Sequence, residues 1–258
     1  TRAFVPEGGL IASPTPSYIL YRSLAEIQGA RFQTVRFNEN WHLMPPWPVK
    51  GADLTFVPNP NSPSGTIVPK PFIEMLGAQV DPHPLVIDEA YIDFSDDPNQ
   101  LSWVRTVEYC RNLIVTRTFS KSYSLAGIRF GFAVARPEVV RELVKVKDSY
   151  NCDVLSLAAA TAAIEDQEYF HEVRAKILAT RARMAVELGN LGFEVTPSHA
   201  NFLWCRRSDR PVKSIYEELK RRKILVRYMN YDGYDGLRIS VGTNAEIDKL
   251  LAELRMIL

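Results

Sequence analysis

Short apolar runs alternate with segments of helical periodicity along the first half of the chain. The runs at residues 10–13, 31–37, 53–57, 85–87, 113–116 and 130–135 predict strands, and the apolar spacing at 18–29 and 71–80 predicts helices. Because parallel strands need long crossover connections, usually helices, this alternation predicts an α/β fold: a mainly parallel sheet with helices on both faces. Such sheets bind ligands beyond the carboxyl ends of their strands, so the loops there are the candidate site.

The second half of the chain has a different pattern. Residues 138–189 show a long helical periodicity, which we interpret as a connecting spine. Strands at 193–195, 201–205, 224–227 and 237–241 then alternate with helices at 212–222 and 244–258. This order predicts an α+β unit. We therefore expect a large domain over 1–165 and a smaller C-terminal domain over 166–258.

Composition narrows the function to small-molecule chemistry. The chain has 31 lysine and arginine residues against 30 aspartate and glutamate residues, a net charge of +1, and no basic patch that would indicate nucleic acid or an anionic membrane. No apolar run approaches the roughly 20 residues of a membrane-spanning helix. Its three cysteines and four histidines show no metal-ligand spacing, so we expect no metal, and we expect a cytoplasmic location.

The segment around Lys121 carries the strongest chemical signal. Lys121 lies close to the hydroxyls of Thr118 and Ser120, and Arg129 follows eight residues later. A lysine amine can form an imine with an aldehyde, while hydroxyls and a guanidinium are good donors for a phosphate. The ordinary alternative is a solvated loop lysine, so this interpretation depends on the motifs elsewhere in the chain.

Asp88 ends the apolar strand predicted at 85–87, and Tyr91 follows three residues later. Burying a carboxylate there costs free energy unless it has a cationic partner. A protonated pyridine nitrogen would be such a partner, and Tyr91 could reach the phenolic oxygen of the same ring. The loop 59–65, Asn-Pro-Asn-Ser-Pro-Ser-Gly, is either an ordinary turn or the source of an asparagine amide for that oxygen.

These three motifs stand in an order and at a spacing that resemble the fold-type I pyridoxal-phosphate (PLP) aminotransferases. Finer phrases resemble the histidinol-phosphate aminotransferase family in particular. They are residues 14–21 (PTPSYILY), 88–94 (DEAYIDF), 199–203 (HANFL), 224–227 (ILVR) and 237–243 (LRISVGT). The resemblance extends over nearly the whole chain.

The resemblance implies a set of cofactor-binding residues. They are Lys121, Asp88, Tyr91, Asn61, Thr118, Ser120, Arg129 and Tyr18. Lys121 would be the catalytic, imine-forming lysine and Asp88 the partner of the pyridine nitrogen. Tyr91 and Asn61 would lie at the phenolic oxygen, and Thr118, Ser120 and Arg129 would hold the phosphate. Tyr18 matches a ring that stacks on the cofactor, although a core tyrosine is an equal alternative.

Substrate binding is implied for Arg238, Arg227 and Asn201. Arg238 would bind a carboxylate or phosphate, because a guanidinium bonds to both anions bidentately. Arg227 would be a second anion-binding arginine or simply an exposed strand residue.

Two departures from the family pattern affect these expectations. Ser62 stands directly before Pro63, where the wider superfamily has asparagine, so either Asn61 or Ser62 could face the cofactor. Residues 1–9 resemble the end of a helix that enters a glycine turn. We therefore expect the chain to begin inside the large domain, without the family's N-terminal arm and phosphate cradle, and to have weak or no activity by itself.

The resemblance implies PLP-dependent transamination between histidinol phosphate or imidazole acetol phosphate and glutamate or 2-oxoglutarate, carried out by a homodimer. An aromatic aminotransferase and a phosphothreonine decarboxylase are alternatives on the same scaffold. A cofactor-free binding module is the alternative from another functional class.

Overall fold

The structure is a computed structural model that describes residues 1–45, 47–231 and 233–258. The strands are β1 Leu10–Thr15, β2 Arg31–Arg36, β3 Leu54–Pro58, β4 Leu85–Asp88, β5 Leu113–Thr118, β6 Gly131–Ala135, β7 Glu194–Thr196, β8 Phe202–Arg206, β9 Arg227–Tyr231 and β10 Tyr234–Ser240. The helices are α1 Leu20–Gln28, α2 Lys70–Val80, α3 Pro98–Leu101, α4 Pro137–Lys145, α5 Val154–Glu165, α6 Gln167–Asn190, α7 Lys213–Arg221 and α8 Asn244–Ile257. None of the described helices is both long and apolar enough to span a bilayer.

The larger sheet has the strand order β2-β1-β3-β4-β5-β6. Its first five strands pair in parallel, as the alternation of strands and helices predicts. The expectation that residues 130–135 continue the parallel series is wrong, because β6 pairs antiparallel with β5. The loop between them contains only the short 3-10 segment Ala126–Ile128 and no crossover helix, so the chain turns back beside β5.

Alternate residues of β4 serve opposite faces of this sheet. Leu85 and Ile87 pack in one apolar cluster with Leu76 of α2. Val86 packs in a second cluster with Tyr21 of α1. Successive side chains of a strand point to opposite faces of the sheet. A strand made only of apolar residues therefore requires other elements packed on both faces. The predicted arrangement with helices on both faces is confirmed.

The smaller sheet has the order β7-β8-β10-β9 and is antiparallel throughout. The predicted strand at 224–227 is displaced, since β9 begins only at Arg227. The Ile224 amide donates to the Leu219 carbonyl at 2.9 Å, so the closing turn of α7 uses these residues. Ile224 and Val226 nevertheless contact the C-terminal apolar core, which accounts for their apolar character.

The predicted helical spine at 138–189 is divided into α4, α5 and α6. Asp153 accepts a hydrogen bond from the Ser156 amide at 2.9 Å, and Asp166 accepts one from the Tyr169 amide at 3.1 Å. Both are N-cap bonds, which start a new helix. The proposed domain boundary after residue 165 coincides with the second of these caps, and the division into domains stays a prediction.

Aromatic residues connect the two sheets. Trp204 of β8 lies edge-on to Trp41, with ring centroids 5.9 Å apart, and Tyr234 of β10 lies 4.8 Å from Trp41. The Tyr234 hydroxyl also donates to the Phe37 carbonyl at 2.5 Å. Trp204 and Tyr234 are buried in the same cluster as the residues of β4 and β5. Two strands of the small sheet therefore complete the core beside the large one.

We expect opposite effects on stability from the same substitution at two glycines. A Cβ at Gly236 would overlap the indole of the fully buried Trp204, so Gly236→Ala should lower the free energy of unfolding by about 1–3 kcal/mol. A Cβ at Gly189 in α6 meets nothing within 4 Å, so Gly189→Ala should raise it by up to about 1 kcal/mol. Urea unfolding followed by circular dichroism measures both. Equal midpoints for the two variants would contradict this account of the β8–β10 contact.

Candidate active site

A cavity of about 330 Å³ lies at the carboxyl ends of β3, β4 and β5. Ligand pockets usually enclose roughly 300–1,000 Å³, so this volume suits a small molecule. Seven of the sequence-predicted residues line it: Tyr18, Asp88, Tyr91, Thr118, Ser120, Lys121 and Arg129. The fold thus brings together residues that are far apart in the sequence: Tyr18 just before α1, Asp88 at the end of β4, and Thr118 to Lys121 at and after the end of β5.

The remaining predicted residues, Asn61, Asn201, Arg227 and Arg238, are not among the described residues that line this cavity. Arg238 reaches its edge, because its guanidinium donates to the Ser62 hydroxyl at 2.9 Å, and Ser62 is a lining residue. Asn201 precedes β8, and its carbonyl accepts a hydrogen bond from the Val241 amide at 2.9 Å.

Lys121 is half-buried on the wall of the cavity, and its Nζ lies 5.6 Å from the centre of the Tyr91 ring. Burial lowers the pKa of Lys121, and the positive charges of Arg238 and Arg129 lower it further, while Asp88 acts in the opposite direction. A neutral amine is therefore more available at Lys121 than at an exposed lysine. Such an amine is suited to attack a carbonyl or to accept a proton.

Asp88 lies at the end of β4, where burial raises the pKa of its carboxyl group. The Tyr21 hydroxyl donates to Asp88 Oδ2 at 2.8 Å and the Ala90 amide to Oδ1 at 3.1 Å, and both bonds favour the ionised form. Among the described residues, no cation forms an ion pair with Asp88. The cavity therefore presents a buried carboxylate whose charge a bound cationic group would balance.

Tyr21 is a site residue that the sequence analysis missed. It lies on α1, its ring stacks on Phe56 at a centroid distance of 4.5 Å, and its pKa is raised well above the ordinary value, chiefly by burial. The signal was its position three residues after Tyr18, which places the two rings near each other at a helix start. Tyr18 itself is 49% exposed, so the alternative of a core tyrosine is wrong.

Thr118, Ser120 and Arg129 form another part of the cavity lining. The Thr118 hydroxyl accepts a hydrogen bond from the Ser120 amide at 3.1 Å. Arg129 adopts the left-handed conformation, with φ 53°, and its exposed guanidinium donates to the Ala126 carbonyl at 2.9 Å. Hydroxyls, a main-chain turn and a guanidinium together offer several donors to one anionic group.

The asparagine-proline loop places Ser62 rather than Asn61 on the cavity wall. Asn61 is fully buried, and its amide donates to the Pro16 carbonyl at 3.2 Å and to the Ser64 hydroxyl at 2.9 Å. Both amide hydrogens are thus used by protein acceptors, one in the loop and one at Pro16. Ser62 accepts from Arg238, which leaves the proton of its own hydroxyl available to a ligand.

Arg117 also lines the cavity and was missed from the sequence. It forms ion pairs with Glu89 at 2.9 Å and with Asp93 at 3.1 Å. Glu89 is 1% exposed and also accepts hydrogen bonds from the Ser102 hydroxyl and the Trp103 amide. The only sequence signal was an arginine in a strand whose neighbour carries a buried carboxylate.

Arg227 and Arg238 are directly opposite each other on the antiparallel strands β9 and β10. Like charges in this arrangement repel, so an anion bound between them would be stabilised. Arg238 lies with its guanidinium 5.0 Å from the centre of the Phe202 ring, and Arg227 is exposed. Among the described residues, no group of three or more His, Cys, Asp or Glu side chains could hold a metal ion.

Comparisons with known proteins identify the family of the chain. The model of the aminotransferase class I and II family matches residues 1–254. Histidinol-phosphate aminotransferase of Rhodopirellula baltica is 54% identical over 250 residues, which are 96% of this chain and 68% of that protein.

Two crystal structures share the fold. The histidinol-phosphate aminotransferase from Clostridium acetobutylicum superposes with a TM-score of 0.90 at 25% identity, over 96% of this chain and 78% of that one. The enzyme of the same name from Sinorhizobium meliloti, in complex with pyridoxal-5'-phosphate, has a TM-score of 0.88 at 26% identity, over 100% of this chain and 73% of that one. On the strength of the family match and the 54% identity, this chain belongs to the class I and II aminotransferases and, within them, to the histidinol-phosphate aminotransferases.

Proposed function

We propose that this chain binds PLP at Lys121 and transfers an amino group between glutamate and imidazole acetol phosphate, yielding 2-oxoglutarate and histidinol phosphate, as a step of histidine biosynthesis. The observation that carries the proposal is a single cavity that holds a half-buried amine and, at the end of β4, a carboxylate that forms no ion pair with a described residue. The family of the chain and the names of its relatives support the substrate pair.

The residues present suit the cofactor at each of its chemical groups. Asp88, with its burial and its donors from Tyr21 and Ala90, suits a protonated pyridine nitrogen. The Ser62 hydroxyl and Tyr91 suit the phenolic oxygen. The hydroxyls of Thr118 and Ser120, with Arg129, suit the phosphate. When bound, PLP supplies an aldehyde that condenses with amines and a ring that accepts electrons from the substrate carbon.

Lys121 then has two tasks in this proposal. Its amine would hold the aldehyde of the bound cofactor, and as a free amine it would carry the transferred proton. Its lowered pKa favours the neutral amine that both tasks need. Asp88 would hold the pyridine proton, and the Tyr21 hydroxyl favours the ionised form of its carboxylate against the effect of burial.

Substrate selection falls to the paired arginines. Arg238, half-buried and bonded to Ser62, would bind the carboxylate or phosphate next to the reacting carbon. Arg227 lies beside it on the neighbouring strand and is more exposed, which suits the distal phosphate of the ester. Asn201 stays a prediction as a further substrate ligand. A cytoplasmic location and assembly into a homodimer also stay predictions.

Replacing Lys121 by alanine should abolish the binding signal as well as the reaction. The wild-type chain with added PLP should show a visible absorbance band that borohydride converts into a covalent adduct on Lys121. Lys121→Ala should lose the band, and its turnover should fall at least about 100-fold. Lys249→Ala, on an exposed position of α8, is the matched control and should keep both. No band in the wild-type chain would favour the cofactor-free alternative.

Tyr21→Phe should weaken PLP binding without changing the shape of the cavity. Loss of the hydroxyl removes a donor to the Asp88 carboxylate, so the pKa of Asp88 rises further and the ionised form that would pair with a pyridinium is less favoured. A hydrogen bond to a charged group contributes about 1.5–3 kcal/mol, so the dissociation constant should increase at least about tenfold. Absorbance titration with PLP measures it. Tyr109→Phe, on an exposed tyrosine, is the control. Equal affinities would remove Tyr21 from the site.

Substrate profiling tests the chemistry and the arginine pair together. With glutamate as the donor, imidazole acetol phosphate should react with a higher kcat/KM than aromatic oxo acids, and phosphothreonine should release no CO₂. Arg227→Gln should lower kcat/KM for the phosphorylated acceptor by about 10- to 100-fold, because a charged hydrogen-bonded contact is lost, and should alter that for glutamate less. A preference for aromatic oxo acids would instead favour the aromatic aminotransferase alternative.

A further inference from the structure

The carboxylate of Asp93 connects the two loops that follow β4 and β5. Asp93 lies in the short 3-10 segment Ile92–Phe94, beyond the end of β4. Its Oδ2 accepts a hydrogen bond from the Ser122 hydroxyl at 2.6 Å, and its Oδ1 accepts one from Arg117 at 3.1 Å. Ser122 is the residue directly after Lys121. One carboxylate of the first loop thus holds the lysine-bearing segment of the second.

The main chain around Asp93 is held by an arginine of α6. Arg174 of α6 donates from Nε to the Asp93 carbonyl at 2.6 Å and from its terminal nitrogen to the Ser95 carbonyl at 2.5 Å. Ser122 is only 8% exposed, and the Asp93 side chain 16% exposed. Hydrogen bonds shielded from water in this way are stronger than exposed ones, so the connection is rigid.

Arg117 serves this connection rather than the ligand. Its three guanidinium nitrogens donate to Glu89 at 3.0 Å, to Asp93 at 3.1 Å and to the Ser102 hydroxyl at 2.8 Å. Each nitrogen therefore has a protein acceptor, although the residue lines the cavity. Asp93 therefore bonds to Arg117 and to Ser122, the two ends of the segment that contains Lys121.

We propose that Asp93 is a positioning residue, which fixes Lys121 in the cavity by holding Ser122 and Arg117 on either side of it. Asp93 is not among the described residues that line the cavity, so it acts through its neighbours and not on the ligand. The proposal deepens the proposed function and rests on it for its consequence in turnover.

The charged and titratable groups that face Lys121 come from several elements. They are Asp88 at the end of β4, Tyr91 after it, Arg129 before β6 and Arg238 on β10. Burial and the two arginines lower the pKa of Lys121. If the segment is released, water reaches the amine, and its pKa moves up towards the ordinary lysine value.

The test measures the reactivity of Lys121 in the full chain without cofactor. Trace labelling with isotopic acetic anhydride at a series of pH values, read by peptide mass spectrometry, gives the midpoint at which Lys121 becomes neutral. Ser122→Ala removes only the hydroxyl and changes no charge. An upward shift of the Lys121 midpoint by about half a pH unit or more would therefore report a change in the position of the Lys121 amine. Asp93→Ala should shift the midpoint in the same direction.

Asp96→Ala is the matched control. Asp96 lies three residues further along the same loop, is exposed and pairs with Arg181 on α6, so its loss should leave the Lys121 midpoint unchanged. Circular dichroism checks that each variant folds. If Asp93→Ala does not fold, the result for Ser122→Ala alone decides the test. An unchanged midpoint in folded Ser122→Ala would overturn the proposal. Because labelling needs no PLP, a chain that shows the shift but binds no PLP would contradict the proposed function alone.

Discussion

The parallel pairing of β4 with β5 determines where the chemistry of this molecule lies. In this register Asp88, the last residue of β4, is opposite Thr116, and β5 ends two residues later at Thr118. Asp88 and the loop that carries Lys121 therefore lie at the same edge of the sheet. A shift of the register by one residue would move these side chains to the other face. The buried Glu89 and its partner Arg117 stabilise this alignment, because a buried carboxylate requires its cation in one place.

Much of the fold follows from local patterns in the sequence. The apolar runs that became β1 to β5 alternate with turn residues and helical spacing, and this combination leaves a parallel sheet as the main solution. The direction of β6 does not follow from such a pattern, since an apolar strand has the same composition in either direction. The division of the helical stretch into three required recognition of Asp153 and Asp166 as N-caps, which is a side-chain effect of a single residue.

Residues of the candidate site could be predicted where their neighbours in the sequence form a recognisable motif. Lys121 and Asp88 are in this class. Tyr21 and Arg117 are not, because their importance depends on which atoms they meet in space: a carboxylate on another element and a buried glutamate. Ser62 was one of two alternatives in its loop, and its contact with Arg238 from the other sheet could not be read from the sequence. Asn61 shows the converse. Its residue type indicated a ligand, but its amide hydrogens are donated to Ser64 in the same turn and to the Pro16 carbonyl.

The aromatic contact between the two sheets has a consequence for how the chain unfolds. Trp204 and Tyr234 come from the small sheet but are buried among residues of the large one. Removing the C-terminal strands would leave an open cavity in the core against Trp41 and expose its apolar wall to water. Loss of β8 and β10 would therefore weaken the core of the large sheet as well. The stability of the large sheet is thus coupled to that of the small one, even though the two sheets are built from separate stretches of sequence.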